Sequence, residues 1–172
     1  MNAQHVPMHR DSQSCTIGFT GMKTLLNPKD KEEIIARLAR MQPVSQRRWG
    51  RMSVPQMVCH LSDSFRGPMG ERALSHARWF ARGLTKWFAL YFPRPWPKGF
   101  KTRPEIDQEI GGTPPGDFAA DVRELRRLLD RFTRQPRDFE WHPHPVFGSM
   151  SDKDWQRWGY LHMDHHLRQF GA

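Results

Sequence analysis

The sequence predicts an all-α fold, and three observations lead to this prediction. Four segments carry apolar residues at spacings of three and four, as amphipathic helices do. Residues that cap helix N-termini precede three of these segments. Long runs that alternate apolar and polar residues, as a half-buried β-strand does, are missing from the sequence. We therefore expect four principal helices in an antiparallel bundle.

The first two helices have clear start signals. Pro28 stands at the head of one helix, which has acidic residues in its first turn, an apolar stripe at Ile34, Ile35, Leu38 and Met41, and an end before Pro43. The second helix is predicted from about Val54 to about Phe65, because Ser53-Val-Pro-Gln56 has the pattern of a capping box with Ser53 as the N-cap. His60 lies in the middle of this helix.

The third and fourth principal helices follow loops rich in glycine and proline. Asp117 caps a helix after the loop at 111–116, and its apolar positions are Phe118, Val122, Leu125, Leu129 and Phe132. Ser149 or Ser151 caps the last helix, which spans roughly Asp152 to Phe170. Between the second and third helices, residues 78–104 are rich in aromatics and proline. This insertion is predicted to contain a short helix near 78–91 and to fold over the bundle.

Length and composition predict one domain with a polar surface. The chain has 172 residues, two cysteines and a net charge of +9. Residues 1–21 lack periodicity and are interpreted as a flexible leader, which leaves residues 22–172 as the domain. We find neither a secretory signal nor a membrane-spanning run in the sequence, so a cytoplasmic location is expected. Both cysteines suit a reducing compartment, and Cys59 is interpreted as a packing residue.

The positive charge is spread along the chain rather than concentrated in one motif. Acidic residues are interleaved with the arginines, and no recognisable nucleic-acid motif accompanies them. This distribution favours solvated helix faces, with an anionic small molecule as the second interpretation and nucleic acid as the third.

Histidines near the C-terminus predict a metal site. His162 and His166 are four residues apart, so a helix brings them within ~40° of one another on consecutive turns. His165 is also three residues from His162, so the spacing alone leaves open which of the two faces inward; the four-residue spacing of zinc-binding helices favours His166. His60 is the best third ligand because its neighbours are apolar. The alternative is that these histidines are hydrogen-bonded core residues.

The choice of ion and the residues around the histidines complete the metal-site hypothesis. Three neutral imidazoles around Zn, Ni or a similar divalent ion leave coordination positions open, as in a catalytic site. Trp155 and Trp158 are expected to shield the site, and Asp63 and Asp164 are candidates for holding the imidazole tautomers. His142 and His144 alternate with prolines and are expected in a surface loop or at the mouth of a pocket.

Two motifs, RWGRMSVPQMVCHL and FGSMSDKDWQRWGYLHMDHHLRQFG, resemble the DinB and YfiT-like superfamily of metalloenzymes. The resemblance is strongest to a bacterial branch of unknown function whose last helix ends in HHLRQFG, and it covers about residues 22–171. It implies a four-helix bundle with one metal ligand on the second helix and an H-x-x-x-H pair on the last, which fall on His60, His162 and His166. The insertion at 78–104 departs from the pattern.

The resemblance also implies a function. Characterised relatives use the metal to activate a low-molecular-weight thiol, so we expect a thiol S-transferase acting on a small-molecule substrate, without nucleic acid or membrane as partner. A metal-dependent hydrolase that uses bound water is the alternative, and a non-catalytic, stress-related bundle that binds an anionic partner is the third hypothesis. A homodimer is expected from the aromatic residues of the insertion: Trp79, Phe80, Trp87, Phe88 and Trp96.

Overall fold

The computed structural model describes residues 21–75 and 82–172. These residues form five α-helices and one 3₁₀ turn: α1 (Pro28–Ala39), α2 (Val54–Arg66), α3 (Arg82–Tyr91), the turn (Pro104–Ile106), α4 (Phe118–Thr133) and α5 (Asp152–Gln169). Within the described residues there is no β-strand, only an isolated bridge between His144 and Gly148. The all-α prediction is confirmed.

Helix starts lie where the capping residues predict them. Ser53 and Gln56 form both bonds of the capping box of α2, and Ser151, rather than Ser149, caps α5 together with Asp154. The Asp117 side chain accepts from the amide of Ala120 at the start of α4. Each cap satisfies backbone amides that have no partner inside the helix, so the start of the helix is fixed by its sequence.

The four principal helices occupy the predicted segments, and α3 adds a fifth. Helix α2 packs against α4 and α5, while α1 and α3 pack against α5. Their apolar faces form one continuous core. The more specific assignment to a four-helix bundle of the DinB type stays a prediction, as does the division into a leader and a domain, since residues 1–20 lie outside the described part of the chain.

Gly159 allows the elements to approach closely at the middle of α5. A Cβ atom at this position would lie 2.6 Å from Leu25 Cδ1, 3.1 Å from Phe132 Cε1 and 3.3 Å from Phe65 Cε1. All three neighbours are buried to 1% exposure or less, so they have little room to move. A side chain here would separate α5 from α2 and α4 one turn below His162.

The insertion folds onto α5, as predicted. Trp96 donates a hydrogen bond to the Ala89 carbonyl and packs against His162, with ring centroids 5.9 Å apart. Trp87 and Phe88, in contrast, are half exposed on α3. The insertion helix begins at Arg82 in the described residues; Trp79 and Phe80 lie outside them. The homodimer predicted from these aromatics stays a prediction.

No helix in the described part of the chain is long and apolar enough to cross a membrane.

Asp154 anchors the insertion to the start of α5. Its carboxylate accepts hydrogen bonds from the Tyr91 hydroxyl, from the Ser151 amide at 3.0 Å and from the Lys86 ammonium at 3.1 Å. Burial alone would raise the pKa of Asp154, but these donors outweigh it and lower the pKa from 3.8 to about 2. The charged carboxylate therefore stabilises the fold.

We expect this contribution to fade in acid. Because the pKa is lower in the folded chain, the stabilisation is present above pH 4 and is lost as the pH falls towards 2. Asp154→Asn should reduce the free energy of unfolding by about 2 kcal/mol at pH 6 and by much less at pH 2, measured by urea unfolding. The exposed Glu140→Gln is the control and should change stability little at either pH. An equal loss at both pH values would contradict the assignment.

Candidate metal centre

The structure brings His60, His162 and His166 together, each on a helix. His60 lies in the middle of α2, and the other two lie on consecutive turns of α5. Their ring centroids are separated by 4.8–5.3 Å, and their exposed fractions are 4%, 9% and 9%. Each offers one nitrogen, and these nitrogens lie within 4.8 Å of one another, so the three side chains could hold a metal ion.

The tautomer of His60 is fixed by the backbone. Its Nδ1 lies 2.8 Å from the carbonyl oxygen of Ile106, at the end of the 3₁₀ turn. A carbonyl only accepts hydrogen bonds, so Nδ1 of His60 must carry the proton. The other ring nitrogen, Nε2, then has a free lone pair, and it points at His162, whose Nε2 is 3.3 Å away.

A hydrogen-bond relay from the Trp49 carbonyl through the Gln169 side chain fixes His166 in the same tautomer. The Gln169 amide nitrogen donates to the Trp49 carbonyl at 2.9 Å, which leaves its oxygen, 3.1 Å from Nδ1 of His166, as an acceptor. Nδ1 of His166 is therefore the donor, and Nε2 carries the lone pair.

Gly50 makes this relay sterically possible. Its φ of +78° places it in the left-handed region, and a Cβ atom there would lie 2.3 Å from the Gln169 amide nitrogen. Any other residue would be strained and would collide with the amide.

Burial keeps the three imidazoles neutral. It lowers the pKa of His60 and lowers the pKa of His162 and His166 well below the usual value of 6.5. Mutual repulsion between charged rings lowers the pKa of His162 further. Neutral imidazole is the form that coordinates divalent metals.

The donor set fits a divalent cation better than a network of hydrogen bonds. His162 Nε2 could donate to His60, but the Nε2 lone pair of His166 would then have no donor among the described residues. One cation would satisfy all three lone pairs. The distance of 3.3 Å between the Nε2 atoms of His60 and His162 is close to the ~3.3 Å edge of a tetrahedral site with metal–nitrogen bonds of about 2.0–2.1 Å. The ligand nitrogen of His166 lies within 4.8 Å of both.

His162 is the one member of the set whose tautomer the protein does not fix. Its Nδ1 atom is buried without a hydrogen-bond partner. Its ring is held instead by packing against Trp158, with centroids 4.9 Å apart, and against Trp96. Trp158 therefore shields the site as predicted, and Trp155 supports Trp158 from behind at 5.3 Å.

His165 lies beside the cluster rather than in it. Its ring packs between Trp49 and Trp96, with both centroids 6.1 Å away. The two tryptophans come from the α1–α2 loop and the insertion, and the Lys98 ammonium lies 4.6 Å from the Trp49 ring centroid. An aromatic rim with one cation thus lies next to the three histidines.

The prediction that Asp63 and Asp164 hold the imidazoles is wrong. Asp63 is fully buried and accepts hydrogen bonds from four other residues: Arg66, Arg72, Gln108 and Thr113. Asp164 forms ion pairs with Arg37 and Arg168. Arginine guanidinium groups neutralise both carboxylates, and the Thr113 amide adds a hydrogen bond to Asp63, so neither carboxylate needs an imidazole N–H as partner.

The remaining candidates have no ligand role. Cys59 is buried, and burial, followed by interaction with Asp121, raises the pKa of its thiol to about 12, which agrees with a packing role. His142 lies on the surface near Gly70. His144 stacks on Phe147, with centroids 4.3 Å apart, and its Nδ1 accepts from the amides of Val146 and Phe147.

A model of one protein family, described as a protein of unknown function (DUF1569), matches residues 22–172. The chain belongs to this family. No curated protein and no solved structure matches the chain significantly. The match covers all three histidines of the cluster, and the wider DinB-like relationship stays a prediction.

Sequence reasoning missed three partners of the histidines in this DUF1569 domain. Gln169 could have been found, because it lies three residues after His166 on the same helix face. Ile106 acts through its backbone carbonyl and Trp49 through both its carbonyl and its ring, and neither leaves a pattern in the sequence. Only the fold of the loops brings them to the site.

The assigned tautomers can be measured directly. In metal-free DUF1569 protein we expect His60 and His166 to be neutral with the proton on Nδ1, because each donates to a fixed acceptor. Long-range ¹⁵N–¹H correlation spectra distinguish the two tautomers. His144 is the internal control, since its Nδ1 accepts two amide hydrogen bonds and its proton must lie on Nε2. A proton on Nε2 of His60 or His166 would contradict the proposed orientation of the lone pairs.

Proposed function

We propose that His60, His162 and His166 bind one divalent metal ion, with Zn or Ni as the best candidates. The observation that carries the proposal is the convergence of three neutral imidazole nitrogens, two of them fixed as acceptors by hydrogen bonds at Nδ1. Nitrogen donors of this kind suit Zn and Ni better than Mg or Ca. Three ligands leave at least one coordination position for a reactant.

We further propose that the protein is a transferase that activates a low-molecular-weight thiol. A divalent ion at this site would supply Lewis acidity and lower the pKa of a thiol that reaches it. Cys59, the one cysteine among the described residues, is a poor nucleophile because it is buried and its pKa is raised to about 12. The nucleophile would therefore come from a co-substrate.

The surroundings of the cluster favour a thiol over water. A hydrolase that activates water commonly uses a carboxylate as general base. The buried carboxylates of the described residues around the cluster already have partners: Asp63 and Asp107 pair with arginines, and so does the half-buried Asp164. A thiol needs no such base once a metal lowers its pKa. The aromatic rim at Trp49 and Trp96 would cover an apolar substrate and exclude water.

Metal binding should depend on the three histidines and not on their neighbour. We expect untagged protein to bind about one equivalent of Zn or Ni, and His60→Ala, His162→Ala and His166→Ala each to weaken binding by more than about a hundredfold. Gln169→Leu should weaken it by about ten- to a hundredfold, because His166 loses its acceptor. Calorimetry and elemental analysis measure these changes, and circular dichroism checks that each variant is folded.

His165→Ala is the matched control and should bind metal like the original protein. Loss of binding in His165→Ala together with retention in His166→Ala would reverse the assignment. Failure of the folded, reconstituted original protein to bind any divalent ion would remove the metal site and the enzyme hypothesis together.

The reaction class is tested with glutathione and model electrophiles such as 1-chloro-2,4-dinitrobenzene. In the expected transfer a sulfur–carbon bond forms, the carbon–chlorine bond breaks, chloride leaves and the thiol proton passes to solvent. Mass spectrometry should detect the thioether product with metal-loaded protein and only background product with His60→Ala. Cleavage of esters or amides without thiol would instead favour the hydrolase. A protein inactive in both assays that retards an oligonucleotide in a salt-dependent manner would favour the non-catalytic alternative.

A further inference from the structure

A groove of about 340 Å³ lies on the side of α5 that faces away from the histidines. Its walls come from residues 22–23, from residues 92–95 of the insertion and from five residues of α5: Arg157, Tyr160, Leu161, Asp164 and Arg168. These five recur at spacings of three and four, so they form one stripe. His162 and His166 lie on the opposite side of the same helix, at about 100° per residue.

The groove is strongly positive. Four cationic side chains line it, against one carboxylate: Lys23, Arg94, Arg157 and Arg168, with Asp164. Two of the cations are neutralised inside the described chain, since Lys23 pairs with Glu33 and Arg168 pairs with Asp164 at 3.3 Å. Arg94 and Arg157 form no ion pair with any described carboxylate.

Arg157 is held in place by neutral acceptors. Its Nε donates to the Leu90 carbonyl at 2.9 Å and its Nη1 to the Lys23 carbonyl at 2.7 Å. These bonds orient the guanidinium but do not neutralise its charge. Burial lowers the pKa of Arg157 and outweighs the opposing effect of the more distant carboxylates Asp164 and Asp30, so the charge is partly removed from water. The Nη2 group has no protein acceptor in the described region.

Apolar surface adjoins these charges. Leu161 forms the floor on α5, above the buried Tyr160, and the Phe92 ring stands at the edge, 5.6 Å from the Arg94 guanidinium carbon. The volume lies at the lower end of the range for small-molecule sites. An oriented guanidinium beside aromatic rings suits a ligand with an acidic head and an apolar body.

We propose that this groove binds a small organic anion whose carboxylate or phosphate pairs with Arg157 and Arg94 and whose apolar part packs against Phe92 and Leu161. A carboxylate and a phosphate monoester share the chemistry that the two arginines recognise. The site is separate from the histidine cluster and does not depend on metal binding there.

The test uses calorimetric titration of the full chain with phenyl phosphate and with phenylacetate. Phenylacetamide is the matched neutral probe, and inorganic phosphate lacks the apolar body. We expect at least one of the two organic anions to bind at least about tenfold more tightly than phenylacetamide and than inorganic phosphate, because only the organic anions combine a charge-assisted hydrogen bond with apolar contact. The stronger of the two anions identifies the head group. The titrations are repeated with EDTA, since an ion at the histidines would also attract anions.

Arg94→Gln and Arg157→Gln should each weaken binding of the preferred anion about tenfold or more. The Arg94 side chain is exposed and makes no hydrogen bond within the described residues. Arg94→Gln should therefore fold normally, and it tests the proposal even if Arg157→Gln does not fold. Arg126→Gln, on the exposed face of α4, is the control and should leave the affinity unchanged. Binding of phenylacetamide as tight as that of both anions, or an unchanged affinity in folded Arg94→Gln, would overturn the proposal.

Discussion

The hydrogen bond from Nδ1 of His60 to the Ile106 carbonyl determines the chemistry of the histidine cluster. A backbone carbonyl cannot donate, so this contact commits Nε2 of His60 to the role of acceptor. The Trp49–Gln169 relay commits His166 in the same way. Two lone pairs that face a third imidazole in a buried space form a poor hydrogen-bond network but a good ligand set. Local backbone geometry therefore distinguishes this cluster from ordinary core histidines.

Those hydrogen bonds matter only because the helices approach closely enough to exclude water. Gly159 brings Leu25, Phe65 and Phe132 together one turn before His162, so α5 lies close to α2 at the level of the cluster. The resulting burial favours neutral imidazoles, the coordinating form. The insertion adds the Trp96 ring, and Asp154 holds that insertion on α5 through Tyr91 and Lys86. The histidine cluster thus depends on the packing around Gly159 and on the Asp154–Lys86 ion pair, neither of which includes any of the three histidines.

The sequence predicts the parts of this structure that rest on local periodicity and capping. The starts of α2, α4 and α5 follow from Ser53, Asp117 and Ser151, and the proximity of His162 and His166 follows from one turn of helix. His60 needed a long-range argument, namely that a histidine among apolar neighbours requires a partner. The prediction that Asp63 and Asp164 hold the imidazoles was wrong, because the spacing of residues along a helix does not reveal which arginines compete for a carboxylate. Arg72 reaches Asp63 from a loop, and Arg37 reaches Asp164 from α1.

The two faces of α5 differ in charge, and the net charge of the chain does not reveal this difference. The arginines of α4 illustrate the ordinary case: Arg127 pairs with Glu124 and Arg131 with Asp138, so they form the solvated face predicted for them. Arg157 differs, because it is half-buried, oriented by two carbonyls and without a carboxylate. Burying an unpaired cation lowers stability because the ion loses hydration, and the Coulomb attraction of a bound anion would offset this loss. On the opposite face the histidines are neutral and offer lone pairs. Helix α5 therefore has a site suited to a cation on one face and a site suited to an anion on the opposite face. The width of the helix separates the two sites.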